Sequence, residues 1–423
     1  MTPSVSLFVE RVLNGIPART EDSGSRAGRA KAVHPLHFLS NNEIRCLHLF
    51  TDAVFLEITM AALQSGRSVP EFDRERHIRY FAYCLRKLPN AYSKLDSSRL
   101  TLVHFAVHAL DLLGVWEDEE IQCKMGLDKR RITEWIYSLQ ISSQNNKNYE
   151  SHVGFIGGSF LGVSFCDPDD QPWEYNHGHV AMTYTALCTL RALGDDFSEV
   201  DKEGIVRALK YLQLDDGSFK CIFAGSEHDM RFLYCACSIS HMLNDWRGLD
   251  KAKAVKYIQS CRSFDGAIAL LPGQEGHGGG TFTAVASLVL MNRLDEVIDA
   301  EWKKDLIRWC VHRQVGGMQG RPNKAEDTCY SYWIGSTLRL LGEDSLLDHN
   351  VLRAYVKTCQ TQYGGFGKVV GAYPDLLHSF YSLAYLSLSQ DFGETEQLGR
   401  LKPLNATLGI CQERVSCFEP WFP

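Results

Sequence analysis

A stretch that returns about every fifty residues limits what this chain can fold into more than any other feature. Gln213 precedes Asp216-Gly217-Ser218-Phe219, and Gln259 precedes Asp265-Gly266. Gln314 precedes Gly316-Gly317-Met318, and Gln360 precedes Gly364-Gly365-Phe366. The loop glycines 217, 266, 317 and 365 are spaced by 49, 51 and 48 residues. A period near fifty holds two helices and two connections and leaves no length for a buried sheet. The helix before each loop is amphipathic: Ala300 to Gln314 sets Lys303, Lys304, Asp305 and Arg308 beside Leu306, Ile307 and Trp309. The helix after it is apolar nearly all round, and Thr281 to Met291 carries no charge. One-sided helices face water and all-round apolar ones are buried on both sides, so stacked units give an inner and an outer layer. The expected fold is all-α, and with about six such units the stack closes into an α/α toroid.

Upstream of the repeats, Ile78, Phe81, Cys84 and Leu85 form one helical stripe, and helices are expected over Leu100 to Leu113 and Ile132 to Leu139. The barrel is therefore assigned to residues 71–392. Residues 1–70 are read as an N-terminal extension, because Ala18 to Lys31 is small, polar and Arg-rich, and a helix over Leu47 to Leu63 has no clear partner. Residues 393–423 are read as a C-terminal tail. The 45% hydrophobic and 22% charged content of the 423 residues is that of a globular protein, and a net charge of -7 argues against a general nucleic-acid binder. The 14 cysteines include no Cys-x-x-Cys pair and sit among apolar residues, which suits reduced thiols and a cytoplasmic location. No apolar run is long enough for a membrane span, no signal peptide is evident, and Glu21 and Asp22 count against a transit peptide.

Polar residues follow each loop where the inner helix begins. Equivalent positions in a closed barrel share one end, so Arg231, His277, Arg321, Lys324, Asp327, Cys329 and His378 are expected around one mouth. Each alone reads as a helix cap or a solvated side chain; together they describe a site. Asp327, Cys329 and His378 offer Zn2+ one oxygen, one sulfur and one nitrogen, and three protein ligands leave a fourth position open. Arg231, His277, Arg321 and Lys324 suit a multiply charged anion, most simply a diphosphate. Tyr184, Tyr234, Phe282, Tyr330, Tyr332, Trp333, Phe380 and Tyr381 all fall on inner helices and suggest an apolar cavity. Metal, anion site and apolar cavity together suggest a prenyl diphosphate and a thiol.

These residues resemble the β subunits of the protein prenyltransferases from about Asp73 to about Ser389. The resemblance rests on the repeats, His277-Gly278-Gly279, Arg321-x-Asn323-Lys324, Asp327-x-Cys329-Tyr330-Ser331 and His378. Trp135 to Gln140, Met182 to Thr185 and Asp327-Thr328-Cys329 look most like the type I geranylgeranyl branch. The resemblance implies a heterodimer with a helical-repeat α subunit and transfer of a geranylgeranyl group from its diphosphate to the Cys sulfur of a C-terminal CaaX motif, with CaaL-type small GTPases among the substrates. It implies Zn2+ on Asp327, Cys329 and His378, with Lys324 and Tyr330 also acting in catalysis. His277, Arg321, Lys324, Tyr330 and Lys368, with Arg231 nearby, would hold the diphosphate. Lys368 would stand where the farnesyl enzyme has an Mg2+-binding Asp, so Mg2+ is not expected to be required. Thr101, Phe105, Tyr184, Tyr234, Gly279, Trp333, Leu377 and Tyr381 would line the isoprenoid and peptide site. Thr101 and Leu377 follow the geranylgeranyl pattern, whereas Tyr381 follows the farnesyl one. Three other readings fit the same residues: a farnesyltransferase β subunit, a Rab-type geranylgeranyltransferase β subunit, and a non-catalytic helical-repeat scaffold with a structural zinc.

Overall fold

The computed structural model describes residues 69–142, 150–159, 176–225, 227–393 and 401–415. The expected N-terminal extension before residue 69, with its helix over 47–63, lies outside the described residues. Twelve of the described helices form two layers. In chain order they are α1 (Arg74–Arg86), α2 (Arg99–Leu112), α3 (Lys129–Tyr137), α4 (Val180–Ala192), α5 (Lys202–Leu212), α6 (Met230–Met242), α7 (Lys251–Ser260), α8 (Gly278–Leu290), α9 (Ala300–Val311), α10 (Thr328–Leu340), α11 (His349–Thr358) and α12 (Leu376–Leu388). Odd-numbered helices are outer and even-numbered ones inner. The split follows from composition. Helix α5 buries Ile205, Val206, Ala208, Leu209 and Leu212 and turns Lys202, Glu203 and Lys210 to water, whereas α8 buries every residue but Val289. Each large apolar side chain buried in this way contributes roughly 1.5–3 kcal/mol. Each inner helix packs on the inner helix before it and after it, and α12 packs on α2. The toroid is thus closed.

An aspartate caps every outer helix. Asp73, Asp128, Asp201, Asp250, Asp299 and Asp348 each accept a hydrogen bond from a first-turn amide, a contact worth about 1 kcal/mol. The recurrent glutamine serves those caps in three of its four repeats; in the remaining one Arg262, not Gln259, holds the equivalent register position. Gln213 accepts from the amide of Asp250 at 2.7 Å and donates to its carbonyl at 3.0 Å. Gln314 does the same for Asp348, at 3.0 and 2.8 Å. Gln140, one unit earlier, accepts from Asp201 and donates to the carbonyl of Glu199. Gln360, at the end of the last unit, accepts from the amide of Asp73 at 3.3 Å and donates to the carbonyl of Glu71 at 2.8 Å. The device that links one repeat to the next therefore also joins the last to the first. Gln360 also meets the buried His77 ring at 2.7 Å, and His77 accepts from the Gly365 amide. Gln360→Ala strands these groups and is expected to lower stability by about 1–3 kcal/mol. Gln213→Ala, whose bracket is exposed, is expected to cost less. Thermal unfolding of both variants checks this; equal losses would show that the closing contact carries no special weight.

The inner helices present their N-termini at one end. An amide at the start of each, the first or in α2 the second, donates to a carbonyl of the loop that feeds a neighbouring inner helix: Leu100 to Gly157, Val180 to Cys221, Met230 to Leu270, Gly278 to Gly320, and Thr328 to Lys368, all at 2.9–3.1 Å. The Leu376 amide completes the circle on the Tyr92 hydroxyl at 2.9 Å. This ring of bonds fixes where any residue at the start of an inner helix must lie.

The described strands are two residues each. β1 (Gln140–Ile141) pairs with β2 (Gly154–Phe155), and β3 (Leu404–Asn405) pairs antiparallel with β4 (Ile410–Cys411). The second pair departs from the sequence expectation of a tail after residue 392. Leu401, Leu408, Ile410 and Cys411 are buried, and the segment packs against α2, α4 and α12. At its base the fully buried Asp111 accepts from Lys402 at 3.2 Å and from Arg414 at 2.8 and 3.1 Å. Apolar residues at alternate positions and a charge pair across some three hundred residues draw the segment into the barrel.

Candidate active site

Five of the six inner helices are capped by a side chain, and those caps stand around the mouth: His179, Asp229, His277, Asp327 and Asp375. A polar residue at this position can cap its helix and face the mouth at once: Asp327 and His277 are both caps, and both stand at the mouth. Asp327 Oδ1 accepts from the Cys329 amide at 3.0 Å, which turns the carboxylate toward the Cys329 thiol. The His378 Nε2 atom lies 3.2 Å from Asp327 Oδ1 but has no hydrogen-bond partner. The ligand atoms of Asp327, Cys329 and His378 all lie within 4.8 Å of one another, and all three residues are buried. An oxygen and a nitrogen about 2.0–2.1 Å from a tetrahedral zinc stand roughly 3.3 Å apart, which the 3.2 Å between Asp327 Oδ1 and His378 Nε2 fits. Among the described residues no fourth ligand joins the three.

The electrostatics point the same way. Burial and then Asp327 push the Cys329 thiol up to about 12. Burial opposes charge on His378 as well, but Asp375 and Asp327 outweigh it and hold the imidazole well above its usual range. Burial likewise opposes charge on Asp327, yet His378, Cys329 and Lys368 keep its carboxyl below the usual carboxylate range. Protons here fill lone pairs that one dication would satisfy together. Asp375 escaped the sequence reading. It caps α12 through the His378 amide at 2.9 Å, and its other oxygen meets His378 Nδ1 at 2.6 Å. That bond fixes the tautomer that aims Nε2 at the shared space. An aspartate three residues before a candidate ligand at a helix start was the available signal.

The candidate anion groups stand around the same rim in different states. His277 is buried, and its Nδ1 accepts from the Gly279 and Gly280 amides at 3.0 and 3.3 Å. Burial, with Arg321 and Arg231, lowers its pKa to about 3, so it is neutral and Nε2 carries the proton, 3.2 Å from the Tyr330 hydroxyl. It is a hydrogen-bond donor rather than a cation. Arg231 is engaged by Asp229 and by Glu227 at 3.0 Å, and Arg321 by Glu275. Lys324 is exposed in the turn that Asn323 makes at φ 62°. Lys368 stands 3.4 Å from Asp327 Oδ2, beside the metal trio. Tyr330 is held by close packing: a Cβ on Gly320 would meet its ring at 2.1 Å.

Behind the rim lies an apolar cavity of about 160 Å3, roughly ten times the space a single buried water needs. All eight residues expected at an isoprenoid site line it: Thr101, Phe105, Tyr184, Tyr234, Gly279, Trp333, Leu377 and Tyr381. Leu377 and Tyr381 flank His378 on α12, so cavity and metal trio adjoin. Phe282, expected on the wall, is core instead, packed between Tyr234, Tyr332 and Trp333. His104 and the hairpin residues Leu408 and Gly409 also line the cavity and had no sequence signal as site residues.

The sequence profile of the prenyltransferase alpha-alpha toroid domain matches residues 72–410, which includes the hairpin tip. Geranylgeranyl transferase type-1 subunit beta of Arabidopsis thaliana is 38% identical over 82% of this chain and 91% of its own length. The chain belongs to the geranylgeranyl transferase type-1 β-subunit family. The Dictyostelium discoideum member of this family is 36% identical over 78% of this chain and 94% of its own. Among solved structures, Candida albicans protein geranylgeranyltransferase-I complexed with GGPP superposes with a TM-score of 0.69 at 25% identity, covering 83% of this chain and 99% of that one. The prenyltransferase fold and prenyl-transfer chemistry expected from the sequence are thereby established. No helix among the described residues of this prenyltransferase chain is long and apolar enough to cross a membrane.

Proposed function

We propose that this chain, paired in the cytoplasm with a prenyltransferase α subunit, is the catalytic β subunit that moves geranylgeranyl from geranylgeranyl diphosphate to the Cys sulfur of CaaL-type proteins, with one Zn2+ on Asp327, Cys329 and His378. The single observation that carries this is the buried three-ligand trio beside a cavity lined by aromatic and aliphatic side chains. The catalytic unit is the barrel over 71–392 with the packed segment 401–415, and residues 1–70 are an extension to it.

Zinc, when bound there, supplies a substrate thiolate at neutral pH. The chain's own groups do the rest. The apolar wall takes the isoprenoid and shields C1 from water. The six inner-helix N-termini direct their positive dipole ends at the mouth, where the leaving diphosphate collects negative charge. His277 and Tyr330 offer hydrogen-bond donors to it, and Arg231, Arg321 and Lys324 offer charge. Lys368 offers a fixed ammonium once a metal satisfies Asp327, so Mg2+ is not required.

The test is co-expression with a prenyltransferase α subunit and turnover of both diphosphates against CaaL and CaaS peptides. Geranylgeranyl transfer to CaaL is expected. Turnover confined to C-terminal cysteines presented by an escort protein would favour the Rab-type reading, and a zinc-loaded heterodimer with no turnover would favour the scaffold. Asp375→Asn bears on the trio separately. Removing the carboxylate from His378 Nδ1 is expected to weaken zinc binding ~10–100-fold. Competition with a chelator of known affinity measures it, and unchanged affinity would leave Asp375 a cap only.

A further inference from the structure

The toroid's inner helices do not form the floor of the cavity. That floor is the turn Ala406–Gly409 at the tip of the β3–β4 hairpin, where Leu408 and Gly409 line the cavity together with Thr101. Three inner-wall tyrosines hold the tip by its backbone. The Tyr332 hydroxyl donates to the Ala406 carbonyl at 3.4 Å, Tyr234 to Thr407 at 2.8 Å, and Tyr184 to Leu408 at 3.1 Å. Each tyrosine is the fifth residue of its helix, α10, α6 and α4, so the tip is gripped at one level across the barrel. The turn is also internally braced. Asn405 Oδ1 accepts from the Thr407 and Leu408 amides, and Gly409 has φ +69° with no room for a Cβ, which would lie 2.7 Å from the Tyr332 hydroxyl. At the other end, Asp111 with Lys402 and Arg414 fixes the height at which the hairpin enters. A turn this constrained gives the cavity a floor of defined height.

We propose that the hairpin tip, through Leu408, sets the upper limit of isoprenoid length, as a determinant separate from Thr101. This rests on the lipid-cavity reading above. Thr101 belongs to the wall, on α2, while Leu408 belongs to the floor. Leu408→Ala lowers the floor by most of the bulk of one isoprene unit, and Leu408→Phe raises it.

The experiment is competitive binding of C15, C20 and C25 prenyl diphosphates to the zinc-loaded heterodimer, wild type and both variants. Ratios of Kd within one preparation are read, so a partly unfolded sample does not change the result. Leu408→Ala is expected to improve C25 relative to C20 by about tenfold, and Leu408→Phe to weaken C20 relative to C15 by a similar factor. If wild type binds C20 and neither variant moves these ratios by more than twofold, the floor role is overturned while the lipid reading stands. If wild type binds no prenyl diphosphate, both are overturned.

Discussion

Cys329→Ala or His378→Ala, each in the heterodimer, is expected to reduce prenyl transfer by at least ~10^3-fold, about 4 kcal/mol of barrier, and to leave geranylgeranyl diphosphate bound. The two effects separate because the trio and the cavity lining share no residue. Asp327, Cys329 and His378 are buried and mutually oriented, whereas the cavity is lined by other side chains on the same helices. Losing one of three ligands removes the metal or leaves it poorly held, and the peptide thiol then stays protonated. The lipid keeps its apolar contacts and its diphosphate donors. Metal content, lipid affinity and single-turnover rate should be measured on the same samples. Full turnover in either variant with metal-free protein would remove the zinc assignment.

Thr101→Trp is expected to swing preference toward farnesyl diphosphate, and Lys368→Asp to create a demand for Mg2+ without changing lipid choice. Thr101 is half-buried on the cavity wall and its hydroxyl meets Met182 Sδ at 3.5 Å. An indole there takes the space of the last isoprene. Excluding five carbons costs at most about 4 kcal/mol at ~0.8 kcal/mol per buried CH2, enough to change selectivity by orders of magnitude. Lys368 stands beside Asp327, where the proposed reading puts the diphosphate end of the substrate. Exchanging its ammonium for a carboxylate adds a negative charge where the diphosphate departs, and a divalent cation is then needed to offset it. Turnover with both diphosphates, with and without Mg2+, distinguishes the two roles. A wild type that strictly requires Mg2+, or prefers farnesyl diphosphate, would make Tyr381 the better guide to lipid choice than Thr101 and Lys368.

What the sequence determined by itself was the repeat and its consequences. Turn glycines, one-sided and all-round apolar helices and the glutamine before each loop are local properties, and a fixed period turns them into layers. The offsets from the loop glycines then placed Arg231, His277, Asp327 and His378 at the starts of inner helices, because position within a repeat becomes position around a ring. Tertiary structure alone decided whatever depends on contacts between distant segments. Gln360 closes the toroid on Asp73 across 287 residues, although in sequence it looks like any other repeat glutamine. His277 is neutral because the fold buries it beside two arginines. Asp375 orients His378 only because α12 begins where its carboxylate reaches Nδ1. Residues 401–415 carry no repeat signature and read as a tail. They fill the barrel because the ring of helices leaves an apolar interior to cover, and because Lys402 and Arg414 find their partner in Asp111, on a helix formed some three hundred residues earlier.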